Sequence, residues 1–218
     1  MATIGIIGGS GPEGRGLGLR FAMAGHSVFL GSRDSARGQI AANELLQIVP
    51  NKTISVAGGF NKEAASVADW VVISVPFQGL REIVQELSSE MEDKIVISVV
   101  APIVFENRTP HKVFVEEGSA AELISSLLPQ SRVVSAFHHV SAHDLLVPQH
   151  VVEGDIIVCG DDDGAKKQVS ELVNQVKWLR AIDGGMLRNS SYIEQLTVLL
   201  LRINLLHKAR AMIKLIGL

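Results

Sequence analysis

Gly9, Gly11 and Gly14 stand in the spacing G-x-G-x-x-G directly after the apolar run Ile4-Gly5-Ile6-Ile7. That spacing can seat a dinucleotide pyrophosphate. The first glycine permits a tight turn, the second lets the backbone approach the phosphates, and the third lets a helix pack closely on a strand. The helix N-terminus then offers free N–H groups and a positive dipole end to the anion. Ser10, Pro12 and Glu13 fill the positions between the glycines and belong to the same candidate seat. Context separates this loop from a ligand-free glycine turn: a strand precedes it, a helix follows, and a second strand arrives on schedule.

The second strand, His26 to Gly31, bears on which dinucleotide is held. An Asp or Glu about 20 residues beyond the glycines would take the ribose 2′-OH of NAD. Here the strand ends Phe29-Leu30-Gly31-Ser32-Arg33, with no carboxylate at its tip. A guanidinium pairs with a 2′-phosphate through parallel N–H···O bonds, and a hydroxyl adds a donor. Ser32 and Arg33 therefore favour NADP(H) over NAD(H). Asp34 falls late enough to cap the next helix instead.

Three further strand ends should frame a nicotinamide ring: Ser74-Val75-Pro76-Phe77, Ser98-Val99-Val100-Ala101-Pro102, and Ser135-Ala136-Phe137-His138-His139-Val140-Ser141. Ser74, Val75, Pro76, Ala101, Pro102, His138 and Val140 are the candidate ring contacts. These residues carry little acid–base equipment. That suits hydride transfer between two flat rings, where the cofactors supply the chemistry and the protein supplies orientation and dryness. His138 and His139 are the titratable pair there, and His138 is the candidate acceptor contact. A packing role at the strand end is equally open to either. No carboxylate or thiolate cluster accompanies His138, His139 and His143, so no metal site is expected. Asp161-Asp162-Asp163 precedes a helix and reads as capping.

The elements that must position these residues alternate. Strand-length apolar runs occur at Thr3–Gly8, Ser27–Gly31, Thr53–Val56, Trp70–Val75, Lys94–Val99 and Arg132–Ala136. Helical stretches lie near Gly16–Ala24, Ser35–Ile48, Asn61–Val67, Leu80–Leu87 and Ala120–Leu127. Continuous Val/Ile runs between helices predict parallel strands buried on both faces of a doubly wound α/β sheet. A further unit, Asp155–Cys159, Ala165–Val176 and Leu179–Asp183, should extend the sheet, and the tail from Leu187 reads as one or two helices. Ala101–Ser119 is a long stretch without clear periodicity, leaving the end of a strand where ligands bind. The division expected is a nucleotide-binding part, 1–140, and a small C-terminal α/β extension, 141–218, that completes the acceptor site.

Composition fits a soluble globular protein. The chain has 218 residues, 47% hydrophobic and 20% charged, with net charge -3. That is ample for a core and gives no electrostatic pull toward nucleic acid. The single cysteine, Cys159, excludes an internal disulfide and reads as a buried small hydrophobe. The apolar run Leu196–Leu206, broken by Arg202 and Asn204, is too short to span a bilayer. With the first strand beginning near residue 3, no leader is expected and the location expected is the cytoplasm.

Taken together, the chain resembles the F-420-dependent NADP oxidoreductase family. The resemblance rests on Gly8-Gly9-Ser10-Gly11-Pro12-Glu13-Gly14-Arg15-Gly16-Leu17, Gly31-Ser32-Arg33, Lys94-Ile95-Val96-Ile97-Ser98 and Val133-Val134-Ser135-Ala136-Phe137-His138. It continues through Val158-Cys159-Gly160-Asp161-Asp162-Asp163 and Asp183-Gly184-Gly185 with Asn189-Ser190. It implies a Rossmann-type fold and reversible hydride transfer between NADP(H) and the deazaflavin coenzyme F-420. It also implies a homodimer, with Ser10, Ser32 and Arg33 around the adenosine phosphates and C-terminal helices contributing to the deazaflavin site. Three positions depart from the family pattern. Phe77 stands for a Trp, Val99 for a Pro, and Val140-Ser141-Ala142 for Ile-Pro-Ala. These keep open an NADPH-dependent reductase of another acceptor (a flavin, a ferric chelate, a small imine or ketone), or a non-catalytic NADP-binding sensor module.

Overall fold

The computed structural model describes residues 1–49 and 54–218. In chain order the elements begin with β1 (Thr3–Ile7), α1 (Pro12–Met23), β2 (Ser27–Ser32), α2 (Ser35–Ile48), β3 (Val56–Phe60), α3 (Asn61–Val67) and β4 (Trp70–Ile73). There follow α4 (Leu80–Glu86), α5 (Ser88–Met91), β5 (Ile95–Ser98), the hairpin β6 (Ile103–Glu106) and β7 (Thr109–Lys112), α6 (Ala120–Leu127) and β8 (Arg132–Ser135). The chain ends with α7 (Ala142–Leu145), β9 (Gly154–Gly160), α8 (Asp163–Gln175), β10 (Leu179–Asp183), a 3-10 turn at Leu187–Asn189 and α9 (Ser190–His207).

Eight strands form one sheet in the order β10-β9-β8-β5-β4-β1-β2-β3. All neighbours are parallel except β8 and β9, which pair antiparallel. The Val/Ile runs are buried because helices cover both faces. On one face Leu17 and Phe21 of α1, Leu45 of α2 and Val169 and Leu172 of α8 pack on the sheet. On the other, Ala65 of α3, Val84 of α4 and Ile124 of α6 do so. Each of the larger of these side chains contributes about 1.5–3 kcal/mol by leaving water. Phe21 meets Phe137 edge-on at 5.6 Å, fixing α1 against the chain after β8.

Caps set the helix starts. Asp34 accepts from the N–H of Ala36, as the sequence predicts, and Asp162 from that of Ala165. Asp161 instead accepts from the N–H of Leu187 and holds the turn before α9. The buried Glu194 of α9 reaches across to accept from the N–H groups of Ala120 and Ala121 at the start of α6. Burial pushes its carboxyl up to about 7. α1 starts at Pro12, not Gly16, because proline at the first helical position has its φ pre-set and lacks only an N–H that would be free anyway.

Two sequence expectations are revised. The third strand runs Val56–Phe60 and not Thr53–Val56; Thr53 lies outside the described residues. The stretch Ala101–Ser119 is not structureless, since it contains the hairpin β6–β7, pinned to α9 where Arg202 donates to the carbonyl of Pro110 at 2.9 Å.

Candidate cofactor and acceptor site

Strand order places the site. From β1 the chain winds outward through β2 and β3, then crosses back to β4 on the other side. The crevice at that reversal, outside the carboxyl ends of β1 and β4, is where open α/β sheets take ligands. The glycine loop sits there.

Gly8 carries the left-handed conformation of this turn, with φ +78. The sequence reading gave the tight turn to Gly9, so that role moves back by one residue. A Cβ on Gly8 would also lie 2.5 Å from the carbonyl oxygen of Ser74. At Gly14 a Cβ would lie 2.7 Å from the Cα of Gly9, so α1 packs on the loop only without one.

A cavity of about 940 Å³ opens between the strand ends. Gly11, Pro12 and Glu13 form one wall; Ser74, Val75, Pro76 and Phe77 follow β4; Val99 and Ala101 follow β5; and His138, Val140 and Ser141 follow β8. Of the residues expected in the site, Gly9, Ser10, Gly14, Ser32, Arg33 and Pro102 do not line it. Ser10 and Ser32 lie to one side, Oγ to Oγ at 3.2 Å. Arg33 is exposed beside them, with no hydrogen bond or ion pair to the described residues. Pro102 is turned inward, its carbonyl accepting from the N–H of Val113 at 2.8 Å, which places it in the base of the hairpin.

The remaining walls were not assigned residue by residue from the sequence. Ile103, Val104 and Phe105 come from the hairpin. Thr197, Leu200, Leu201 and Asn204 come from α9, and Ala209, Arg210 and Ala211 from the coil beyond it. The apolar run Leu196–Leu206 signalled a helix needing a partner surface, but not that this surface is a cavity.

Two polar groups of the wall carry unpaired buried atoms. Both ring nitrogens of His138 are buried without a hydrogen-bond partner, and so is Oε1 of Glu13. Burial, reinforced by the neighbouring His139, pushes His138 down to about 3, so the ring is neutral. Burial pushes Glu13 up to about 8, so it is a neutral carboxylic acid at pH 7. His139 has a packing role: its Nε2 lies 2.7 Å from the carbonyl oxygen of Asp155. Orphaned polar atoms in a buried wall cost about 1–3 kcal/mol each unless something bonds them. The wall therefore suits a flat, largely apolar ligand with a few hydrogen-bonding edges. Among the described residues it offers no thiolate, no ionised base and no nucleophile held by a neighbouring base.

A sheet reversal bearing a glycine loop at a helix N-terminus, over a large apolar cavity, places the chain in the Rossmann-type α/β class. Comparison with known proteins narrows the class. Residues 3–102 match the family described as NADP oxidoreductase, coenzyme F420-dependent. The F420-dependent NADP reductase of Methanocaldococcus jannaschii is 36% identical over 211 residues, 95% of this chain and 94% of that one. The enzyme of the same name from Methanothermobacter thermautotrophicus is 36% identical over 214 residues, 96% and 92% of the two chains. A candidate F420-dependent NADP reductase from Arthrobacter sp. FB24 shares the fold, with a TM-score of 0.82 over 99% of both chains at 22% identity. The chain belongs to the F420-dependent NADP reductase family.

Proposed function

We propose that the protein transfers hydride reversibly between NADP(H) and the deazaflavin coenzyme F-420. The observation that carries this reading is the cavity itself. It is apolar, it lies at the sheet reversal against the glycine loop, and Glu13 and His138 in its wall are uncharged at pH 7. The nicotinamide supplies or accepts the hydride. The chain's own residues bind, orient and exclude water. The loop Gly9–Gly14 seats the pyrophosphate, with Ser10, Ser32 and Arg33 around the adenosine phosphates. Pro76, Ala101, His138 and Val140 hold the two rings face to face. A neutral His138 can hydrogen-bond a ring edge without placing a fixed charge beside a migrating hydride. In this reading residues 1–140 hold the nucleotide and 141–218 complete the acceptor side.

The test is NADPH oxidation followed spectrophotometrically with and without purified F-420. Rapid loss that depends on F-420 is expected. Tight NADPH binding with no F-420-dependent turnover would overturn the reading. A second acceptor class has its own support, because Phe77, Val99 and Ser141, the three departures from the family pattern, all line the cavity. Turnover with a flavin, ferric chelate or imine in place of F-420 would select it.

Arg33→Ala is expected to weaken NADPH binding by about 1–3 kcal/mol, roughly 5- to 150-fold in Kd, and to leave NADH binding almost unchanged. Equal losses for both nucleotides in a fluorescence titration would remove the 2′-phosphate role.

Glu13 makes nucleotide affinity pH-dependent. Below about pH 8 its carboxyl is protonated and adds no negative charge next to the pyrophosphate seat. Above that it ionises, and NADPH affinity should fall by up to about tenfold per pH unit. Glu13→Gln should bind NADPH with no such fall. A fall of the same size in that variant would assign it elsewhere.

We further propose a homodimer through α9. Tyr192, Leu199 and Leu206 are 70%, 53% and 77% exposed and stand seven residues apart, with the half-buried Leu196 and Ile203 between them. This spacing of four and three makes one apolar stripe along the helix, the pattern of a helix seam. A cytoplasmic location fits the same reading: among the described residues no helix is long and apolar enough to cross a membrane.

A further inference from the structure

The segment between β8 and β9 gathers three metal-ligating side chains beside the main cavity. Oδ1 of Asp144 lies 2.9 Å from Nδ1 of His150 and 3.7 Å from Nδ1 of His143. The ligand atoms of all three lie within 4.8 Å of one another. Donors that share an ion at about 2.1 Å are about 3.0–3.4 Å apart, so the set is near closure as it stands. The side chain of His143 is 66% exposed, which leaves its torsions free to close the remaining gap. The sequence grouped His143 with His138 and His139 and found no carboxylate; the fold sends it to Asp144 and His150 instead.

Two further features distinguish this trio from a chance surface cluster. The first is a rigid scaffold. The guanidinium of Arg20, reaching from α1, donates to the carbonyl oxygens of Asp144 (2.6 Å), Leu145 (2.9 Å), Val147 (2.8 Å) and His150 (3.1 Å). The backbone that carries the ligands is thereby fixed from beneath. The second is the division of labour at Asp144. Arg210 holds Oδ2 at 2.8 Å, which turns Oδ1 toward the two imidazoles. Outer partners that orient a ligating carboxylate in this way are a regular part of metal sites.

We propose that His143, Asp144 and His150 form a site for a divalent transition-metal ion of the zinc class. Two imidazole nitrogens and one carboxylate oxygen suit Zn²⁺, Co²⁺ or Ni²⁺; Ca²⁺ and Mg²⁺ ask for several oxygens that this loop does not offer. Asp144 and His150 also line a small polar cavity of about 540 Å³, together with Gln149, Lys208 and Arg210. Arg210 lines both this cavity and the larger one, so the ion sits beside the ring-binding site and not within it.

The test uses tag-free, metal-stripped, full-length protein titrated with ZnCl₂ by calorimetry, and with CoCl₂ by visible absorption. One ion per chain is expected. His143→Ala and His150→Ala should each weaken Zn²⁺ binding about tenfold or more, at least the loss that follows from disturbing an outer partner. His207→Ala, outside the trio, should bind as the parent does. NADPH binding in the two variants should match the parent, which separates ligand loss from misfolding. Absence of saturable one-to-one binding, or binding that survives both substitutions, would overturn the site.

Discussion

Arg20→Met is expected to lower stability by about 3–5 kcal/mol in chemical denaturation and to weaken acceptor binding more than NADPH binding. Arg20 lies within α1 and is only 5% exposed. Its guanidinium donates to four carbonyl oxygens of the segment 144–150. Methionine keeps much of the stem's packing but removes every donor. Each orphaned buried carbonyl costs about 1–3 kcal/mol, lessened where water can reach it. Three of the four bonds are only partly buried, which holds the total below the plain sum. Ser141 and Ala142, directly before this segment, line the cavity, so its loosening reaches the proposed acceptor side while the glycine loop stays intact. Arg20→Lys should recover part of the loss, since an ammonium has donors but not the planar fork. A loss under about 1 kcal/mol for Arg20→Met would show that the loop holds itself.

Asp155→Ala should cost about 3 kcal/mol and release the C-terminal tail to protease. Asp155 is 1% exposed at the start of β9. Its carboxylate accepts from Nε and a terminal nitrogen of Arg180 at 2.8 and 2.7 Å, and from the N–H of Leu215 at 2.5 Å. Arg180 in turn donates to the carbonyls of Leu215 and Leu218. Breaking a buried pair from one side costs about 3–5 kcal/mol, and the lower figure applies because Arg180 can turn to solvent. The Arg180 guanidinium holds the Asp155 carboxyl below its ordinary value of 3.8. Its folded pKa being depressed, the stabilisation is full above 3.8 and is lost as pH falls through the lower folded value. Limited trypsin digestion should trim the variant after Lys208, Arg210 or Lys214 while leaving the parent whole. An untrimmed variant would mean that other contacts anchor the tail.

What could be read from the sequence follows from what is local. β1, β4, β5 and β8 announce themselves as Val/Ile runs because helices cover them on both sides, and Asp34 and Asp162 cap helices through neighbours in sequence. The hairpin was hidden for a specific reason. Its two-residue turn, Asn107-Arg108, has φ of 49 and 65, which asks for Asn-Gly or Asp-Gly, and the second position is an arginine. β3 is misplaced in the sequence reading because Ala57-Gly58-Gly59-Phe60 does not continue a Val/Ile run. Gly58 and Gly59 are strand residues made small by close approach of α2, where a Cβ on Gly58 would lie 2.1 Å from the carbonyl oxygen of Gly38. In the site, the glycine loop and the strand ends were legible as motifs. Arg20 was not, because an arginine inside a helix reads as surface until the segment that it holds, over a hundred residues away, is in place. The orphaned carboxyl of Glu13 is likewise a product of burial, which no spacing reveals.

The reversed pairing of β8 and β9 has a consequence for how this scaffold can diverge. Before it, the carboxyl ends of β4, β5 and β8 face the cavity. From β9 onward the chain runs the other way, so it is the beginnings of β9 and β10, with Asp155 and Arg180, that share that side. Those beginnings grip the tail, and Ala209, Arg210 and Ala211 of that tail line the cavity. In the proposed reading the nucleotide is held by loops that no strand inversion touches, and the partner ring by a helix and a coil hung from the far edge. In such an arrangement a lineage can exchange its electron acceptor by rewriting a few dozen terminal residues, leaving the machinery that holds the reductant as it was.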